Sequence, residues 1–564
     1  MRDGGDTALG SFNLLDDLDA TLASVAGDAG SSFPVAPIPA PGDLADVTIV
    51  VRDERTAPAV VRALEADPAI ASIARERRRY ALRFADERIA ELGAALEAGS
   101  AAPMATDDIM PGELCVVDFC DPNATKALHV GHLRNIALGH AIASMLTAAG
   151  AGVARQSHVG DAGRSMGEAM AGWLRYADGA TPARAGEKSD HYVGRLYARY
   201  VAETAVPVDE VHADDAAVAR DIGLHDDLAQ ELLARLDAGE PEVVELWRRV
   251  RGWATEGQEQ TLARLGVRFD RVIYDSDFAP HIDDFVGEAL AQGILVRDET
   301  GALGYATGQE EYAWLPLSRA DGFPTQNLRG LVMWHRLRHE LPEVALIHLS
   351  GLEWRAHTIH VEDMLRAFAP ELPVHPTTHV RHGMVTVEGG VVSSSAGGAL
   401  LIDELLDRML AQPELHALAR DDRPGCGASE LAALALLASF LNRPVAKSLL
   451  FDADHVLDAT ENVGWRIAQA WAAANDPALD GAPDPDPADP GYRFFAMQSQ
   501  LHRRLLARAI DQLDAMLVLR YLAHVGEFLL NGEHAPRTGR LVRTILREGL
   551  RAIGLIAPAT EEGS

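Results

Sequence analysis

Apolar and polar positions change period several times along the chain, and each change marks an element. Val47, Ile49 and Val51 alternate with polar neighbours, the period-two pattern of a strand. Residues 57–66 take helical spacing, Tyr80, Leu82 and Phe84 alternate again, and residues 86–98 read as a second helix. Residues 43–104 therefore form a small α/β module. Leu114, Val116 and Val117 make a short apolar run of β type, and Leu133, Ile136, Ala137, Ala141 and Met145 then recur at helical spacing. A further strand from Gly152 ends in a Gly-rich turn, Gly160-Asp161-Ala162-Gly163. Strands alternating with helices imply a parallel sheet with ligands at the strand C-termini. The region 165–265 is mostly helical and reads as an insertion, after which Leu262, Leu265, Val267 and Phe269 lead back to the sheet. From Ala428 the pattern is helical throughout, with Leu431, Leu434, Leu437, Phe440 and Leu441 as an apolar stripe. The expected class is α/β: a catalytic-type body over 105–424 with its insertion, a small N-terminal α+β module, and an all-α bundle over 425–564.

The remaining stretches read as connectors. Residues 1–42, rich in Gly, Ala, Ser, Asp and Pro, read as a disordered tail with a stiff linker from Pro34 to Pro41, and Asp476 to Pro490 as an Asp/Pro linker. A length of 564 residues fits about three or four domains. No run of about 18 apolar residues occurs, so no membrane span is expected. Cys115, Cys120 and Cys426 lack Cys-x-x-Cys spacing, which suggests neither a disulfide framework nor a zinc site and fits a reducing cytoplasm. The N-terminus does not look like a secretion signal. No oligomeric state follows from the sequence; a monomer is the simplest expectation.

Charge adds one local feature. The formal net charge of −32 argues against a general nucleic-acid coat. Residues 491–551 nonetheless hold ten Arg and five acidic residues, a local excess of five positive charges. Arg503, Arg504, Arg508 and Arg520 are candidates for a polyanion-binding face, the alternative being an ordinary solvated helix surface. The same two readings stand for Arg75-Glu76-Arg77-Arg78-Arg79, as phosphate contact or charged turn. Tyr192, Tyr197 and Tyr200, with Arg195 and Arg199, read either as an RNA-stacking face or as core tyrosines.

The candidate chemistry sits in the turn between the strand at 114–118 and the helix after it, Asp118-Phe119-Cys120-Asp121-Pro122-Asn123-Ala124-Thr125-Lys126-Ala127-Leu128-His129-Val130-Gly131-His132. Pro122 and Asn123 break the strand. A helix N-terminus offers unpaired N–H groups and partial positive charge, which suit a phosphate. Gly131 lets a base or phosphate lie against the backbone. His129 and His132 can donate hydrogen bonds to phosphate oxygens, and Lys126 adds a mobile cation. The bland alternative is a pair of histidines capping a helix.

This stretch resembles the His-x-Gly-His signature of class I aminoacyl-tRNA synthetases, and the Pro-Asn and Lys spacings are similar to the arginyl type. The resemblance implies a Rossmann-type catalytic domain, ATP with its Mg²⁺, no structural metal held by the protein, and tRNA and an amino acid as partners. It implies catalytic roles for Lys126, His129 and His132 and nucleotide contact at Gly131. A second ATP loop is implied at Glu388 to Gly398, where Ser393, Ser394 and Gly397 match the family but Val391 and Ala396 stand in place of cations. Lys126 is a physically sensible substitute for that charge. Asp118 and Asn123 keep the family's amino-acid-binding pattern. Gln326 and Gly330 fall where the family carries a Tyr and an Asp that help hold a guanidinium, and Trp354 falls where it carries a Gln. Glu353 is the neighbouring carboxylate available to restore the charge. The module at 43–104 resembles a shortened tRNA-binding N-terminal domain, and the closing helices a degenerate anticodon-binding bundle.

The expected function is that of an arginine-tRNA ligase-like enzyme. It would form an aminoacyl-adenylate and pass the acyl group to tRNA. Two alternatives stand beside it: a repurposed paralogue that activates another amino acid or serves another acceptor in a biosynthetic pathway, and a non-catalytic tRNA-binding protein.

Overall fold

The computed structural model describes residues 14–26, 45–51, 55–204, 227–306, 314–319, 322–369, 377–387, 390–391, 400–481, 486–531 and 535–557. Its centre is a five-stranded parallel sheet. The strands are β4 (Leu114–Asp118), β5 (Gly152–Val159), β6 (Arg271–Tyr274), β7 (Ala345–Gly351) and β8 (Thr378–His382), and their spatial order is β8-β7-β4-β5-β6. The chain moves outward from β4 through β5 to β6, then returns to build β7 on the other side of β4. The order reverses at β4, so the crevice at its C-terminal end is the position where open α/β sheets bind ligands. Successive side chains of β4 enter opposite cores, as a strand buried on both faces requires. Cys115 and Val117 join one apolar cluster and Val116 the other.

Ahead of this sheet, β1 (Val47–Val50), β2 (Ile70–Glu76) and β3 (Arg79–Phe84) form an antiparallel sheet in the order β1-β3-β2, with helices α2 (Ala57–Ala66) and α3 (Asp86–Glu97). The alternation expected at 80–84 is present: Tyr80, Leu82 and Phe84 are buried. The Arg75–Arg79 run is the hairpin between β2 and β3, with Arg77 at a φ of 57° in the turn.

The tail expected over 1–42 needs correction. Residues Leu14–Ala26 form helix α1, with Leu14, Leu15, Leu18 and Leu22 buried. Their spacing of one, three and four residues makes a single helical stripe. That stripe packs on α2 and on a later helix, α14 (Pro490–Gln512). The Leu14 amide donates to Gln500 Oε1 at 2.8 Å. The rest of the 1–42 expectation lies outside the described residues.

The helices between are α4 (Val130–Ala148), α5 (Arg164–Tyr176), α6 (Ser189–Thr204), α7 (Asp227–Asp237), α8 (Pro241–Arg264), α9 (Gln326–Glu340), α10 (Arg355–Phe368) and α11 (Ile402–Leu410). Helices α5 to α8 share their own apolar cluster. Tyr192, Tyr197 and Tyr200 are buried among these helices, which leaves no stacking face on them. The closing bundle comprises α12 (Ala428–Leu441), α13 (Val463–Ala474), α14, α15 (Met516–Leu530) and α16 (Ala535–Ala552). One continuous apolar cluster runs through α1, the N-terminal sheet, α4 and this bundle. No helix among the described residues is long and apolar enough to cross a membrane.

Two of the four candidate arginines of the bundle are committed within the chain, which corrects their reading as an open polyanion face. Arg503 pairs with Asp108 and Arg504 with Asp19, the latter at 2.7 Å. They fasten α14 to the N-terminal region. Arg508 and Arg520 are exposed.

Candidate active site

The turn after β4 is held from three sides. Cys120 takes a φ of 63°, in the left-handed region that a residue with a side chain rarely adopts. Its amide donates to Asn135 Oδ1 at 2.7 Å, and its carbonyl accepts from Ser157 Oγ at 3.1 Å. The end of β5 supports the next residues, because Gly160 N donates to Pro122 O and Ala124 N donates to Gly160 O, both at 2.9 Å. From the inserted helices, Gln258 Nε2 donates to Asn123 O at 2.9 Å and to Lys126 O at 2.8 Å. A side chain on Gly194 of α6 would stand 3.3 Å from Lys126 Cα.

His129 caps α4 in an extended conformation. Its Nδ1 accepts from Gly131 N at 3.1 Å, while His132 Nδ1 accepts from His129 N at 3.2 Å. A ring nitrogen that accepts carries no proton, so each neutral ring bears its hydrogen on Nε2. The rings lie 4.0 Å apart. Burial and then Lys126 lower the His129 pKa to about 4. Burial, followed by His129 and Lys126, lowers that of His132 well below the usual imidazole value. Both are neutral donors at pH 7. Lys126 is itself mostly buried, which pulls its ammonium below the ordinary lysine value.

The chain returns to this turn after the expected second ATP loop. Val130 N donates to Leu400 O and Ile402 N donates to Leu128 O, both at 3.1 Å. Ser393, Ser394 and Gly397 lie outside the described residues. The return is anchored by Asp403. Its carboxylate accepts from Lys188 Nζ at 2.8 Å, His191 Nε2 at 3.2 Å, Thr261 Oγ1 at 2.8 Å and Arg264 at 2.6 Å. Asp190, His191 and Asp403 are close enough to suggest a cation site. Lys188 Nζ already supplies the positive charge there, bonding Asp190, Gly257 O and Thr261 as well.

Asp118 closes β4 opposite Gln156 of β5. It is 2 % exposed, and its oxygens make no well-formed hydrogen bond among the described residues, although the Gln156 amide lies near enough to oppose the rise of its pKa. Both polar side-chain atoms of Gln156 are likewise buried, and Asp118 is the group its amide faces. Burial and the neighbouring Asp121 raise the Asp118 pKa to about 7, against the opposing pull of His348 and His158. A buried, unsatisfied carboxylate is costly without a ligand and suits an ammonium group.

Beside the turn lies a cavity of about 340 Å³, whose lining includes Asn123, Gly163, Asp275, Gln326, Arg329 and Trp354. Asp275 Oδ1 meets His158 Nε2 at 2.8 Å, and its Oδ2 accepts from Arg329 Nε at 3.1 Å. Burial alone would lower the His158 pKa, but the bond and charge of Asp275, with Asp121 and Asp118, raise it to about 9. Gly163 has a φ of 81°, so the backbone favours glycine, and a Cβ there would stand 2.9 Å from Arg329 Nη2 and displace that guanidinium.

The structure thus brings Asn123, Gln326 and Trp354 to one cavity. Lys126, His129, His132 and Asp118 do not line it; they belong to the neighbouring strand end and turn. Gly330 is buried within α9 and does not line it. Glu353 does not restore a carboxylate there: its oxygens fold back over Gly351, 2.2 and 2.3 Å from where a Cβ on that glycine would sit. Asp275, Arg164, Arg319 and Arg329 are the charged residues among the described lining, and His158 backs Asp275; none of them was named as a site residue from the sequence. The position of His158 and Asp275 at and just beyond the C-terminal ends of parallel strands is the signal that would have found them.

Residues 108–423 match the family model described as tRNA synthetases class I (R), catalytic domain. Arginine–tRNA ligase of Amoebophilus asiaticus is 30 % identical over 363 residues, 62 % of this chain and 60 % of the relative. That of Porphyromonas gingivalis is 27 % identical over 65 % of this chain and 63 % of the relative. The chain therefore spans about three fifths of the length of the curated relatives it matches. Among solved structures, arginyl-tRNA synthetase of Thermus thermophilus shares the fold with a TM-score of 0.69 at 20 % identity, covering 97 % of this chain and 99 % of that one. The Plasmodium falciparum enzyme gives 0.61 at 11 %, covering 95 % and 96 %. With its match across more than half of its length, and the His-x-Gly-His turn at the switch point of a parallel sheet, this chain belongs to the arginyl (R) family of class I tRNA synthetases.

Proposed function

We propose that the chain is an arginyl-type aminoacyl ligase. An amino acid carboxylate attacks the α-phosphate of ATP, giving aminoacyl-adenylate and pyrophosphate. The terminal ribose of a tRNA then takes the acyl group and AMP leaves. Arginine is the acid in the names of the relatives and the reference substrate. The observation that carries this reading is the pair of imidazoles whose Nδ1 atoms are occupied by backbone N–H groups, leaving Nε2–H on each as a donor at a helix mouth. Such donors, already oriented, stabilise charge that grows on the α-phosphate oxygens. Lys126 meets charge on the departing pyrophosphate, together with Mg²⁺ brought by the nucleotide and the loop containing Ser393 and Ser394. The protein supplies position and charge rather than a covalent nucleophile. The buried Asp118 carboxylate holds the substrate ammonium. Three buried, unpaired thiols support a reducing, cytoplasmic setting. The test is ATP–pyrophosphate exchange across the twenty amino acids, with and without total tRNA. Exchange that depends on an amino acid is the expected result; none under any condition, with tRNA still bound, would leave a tRNA-binding protein.

A further inference from the structure

We propose that His335 and His339 form a surface site for a borderline divalent transition-metal ion of the Zn²⁺, Ni²⁺ or Cu²⁺ kind, apart from the Mg²⁺ that the nucleotide brings. The inference is independent of the ligase reading, and its test reads the ion and not the reaction.

The two residues stand four apart on α9, so their side chains leave the same face of the helix, one turn from each other. Their Nε2 atoms lie 3.1 Å apart. Two nitrogens bound to one ion at about 2.0–2.1 Å stand about 2.9 Å apart at a right angle and about 3.4 Å apart at a tetrahedral one. The observed separation falls between these values, so one ion fits both rings after a small turn of the exposed His339 side chain. Two lone pairs cannot face each other at that distance, so without an ion one ring places a hydrogen between them. When an ion takes that place, the hydrogen moves to the other nitrogen of its ring or to water.

The surroundings hold the pair ready. The half-buried His335 ring packs edge-on against Phe285 at 5.2 Å and Phe368 at 5.0 Å, and against the His339 ring at 4.6 Å. A ring already fixed by its neighbours loses little freedom on taking a ligand. His339 lies in the last turn of α9, where unpaired C=O groups carry partial negative charge that favours a cation. The neighbouring arginines are turned to acids: Arg338 donates to Glu362 at 2.5 Å, and Arg336 lies 3.9 Å from Glu340. Imidazole nitrogen suits Zn²⁺, Ni²⁺ and Cu²⁺, whereas Mg²⁺ takes oxygen. At 1.5 Å per residue the pair lies about 14–20 Å along α9 from Gln326 on the cavity wall, so the two sites do not overlap.

The probes are Ni²⁺ and Cu²⁺, added to the full chain without an affinity tag. Calorimetric titration with Ni²⁺ is expected to show a site whose affinity falls by about tenfold or more in His339→Ala, since even an outer partner of a metal ligand is worth about that much. His339 is exposed, so the variant keeps the fold, which its melting temperature without metal checks. Bound Cu²⁺ is expected to show electron-spin coupling to two imidazole nitrogens in the wild type and to lose that signature in His339→Ala. Excess Mg²⁺ is expected to leave both ions in place. No uptake of Ni²⁺ at millimolar concentration, coupling to a single nitrogen in the wild type, or displacement by Mg²⁺ would each overturn the site. Binding indifferent to His339→Ala would also overturn it and would place the ion elsewhere, for instance at His191 and Asp403.

Discussion

Arg493 Nε donates to Asp46 Oδ1 at 2.9 Å and Arg493 Nη2 to Asp46 Oδ2 at 2.5 Å, although 447 residues separate them. The same guanidinium donates to Phe84 O at 2.7 Å and to Asp86 Oδ1 at 2.6 Å. Asp46 in turn accepts from Phe84 N at 2.7 Å. Both side chains are buried, so the pair has its remaining hydrogen bonds met inside the protein. It pins the edge of the N-terminal sheet to α14. Arg493→Ala leaves Asp46 buried and unpaired, and is expected to cost about 3–5 kcal/mol in urea unfolding. A loss below about 1 kcal/mol would show that the module and the bundle are not energetically joined through this pair.

The two imidazoles have separable jobs. His132→Asn keeps an acceptor near the position of Nδ1 and removes the Nε2–H donor. Stability is expected to change by less than about 1 kcal/mol, while kcat for pyrophosphate exchange falls on the order of 10²–10³. Equal losses in melting temperature and activity would make the histidines caps and nothing more. Lys126→Ala is expected to abolish most turnover, since Val391 and Ala396 supply no cation to the second loop; near-normal activity would relocate the pyrophosphate charge to another group.

Asp118 makes amino acid binding depend on pH. Its pKa of about 7 means that half of the unliganded protein holds a neutral acid near pH 7. An ammonium binds the ionised form, so KM for the amino acid is expected to fall as pH rises from 6 to 8 and to level off above. Asp118→Asn should flatten this profile and raise KM. The sign for stability is opposite: a carboxyl whose folded pKa is raised weakens the fold as pH climbs from about 4 to about 7.

The His158–Asp275 contact carries the reverse signature. His158 gains its proton more readily folded than unfolded, with a folded pKa of about 9. Its contribution is fully present below about pH 6.5 and is lost as pH rises through about 9. His158→Gln should remove that alkaline loss from a plot of unfolding free energy against pH. A wild-type curve already flat between pH 6.5 and 9 would contradict a charged His158.

Asp403 is held well below the carboxylate range: burial opposes this, but bonds from His191, Lys188 and Thr261 and the Lys188 charge overcome it. Its stabilisation is present above about pH 4 and lost as pH falls through the folded value. Asp403→Asn is expected to cost about 2 kcal/mol at pH 7, allowing for the partly exposed Lys188 and Arg264. Activity should fall further than stability accounts for, because Leu400 and Ile402 bond directly to the His129 turn. A melting-temperature drop with unchanged kcat would separate the anchor from the turn.

Local pattern carried much of this fold. The alternation at 80–84, the apolar run at 114–117 and the helical spacing from 133 to 145 each became the expected element, because each buries one face or stripe in an adjacent core. Helix α1 was obscured by the Gly, Ser and Pro around it, although Leu14, Leu15, Leu18 and Leu22 already formed a stripe. The commitments of Arg503 and Arg504 were not legible, since their acidic partners at 19 and 108 are nearly 400 residues or more away. At the site, the His-x-Gly-His turn is written in consecutive residues. The Asp275–His158–Arg329 triangle is assembled from three distant segments, and only the sheet order shows that they meet.

Helix α1 has a consequence for biosynthesis. Its amide at Leu14 reaches Gln500, 486 residues later. At about 5–20 residues per second, a ribosome takes roughly half a minute or longer to deliver that partner. For all of that time the leucine face of this segment has α2 to pack on but lacks its other mate, so α1 reaches its full packing only late in synthesis.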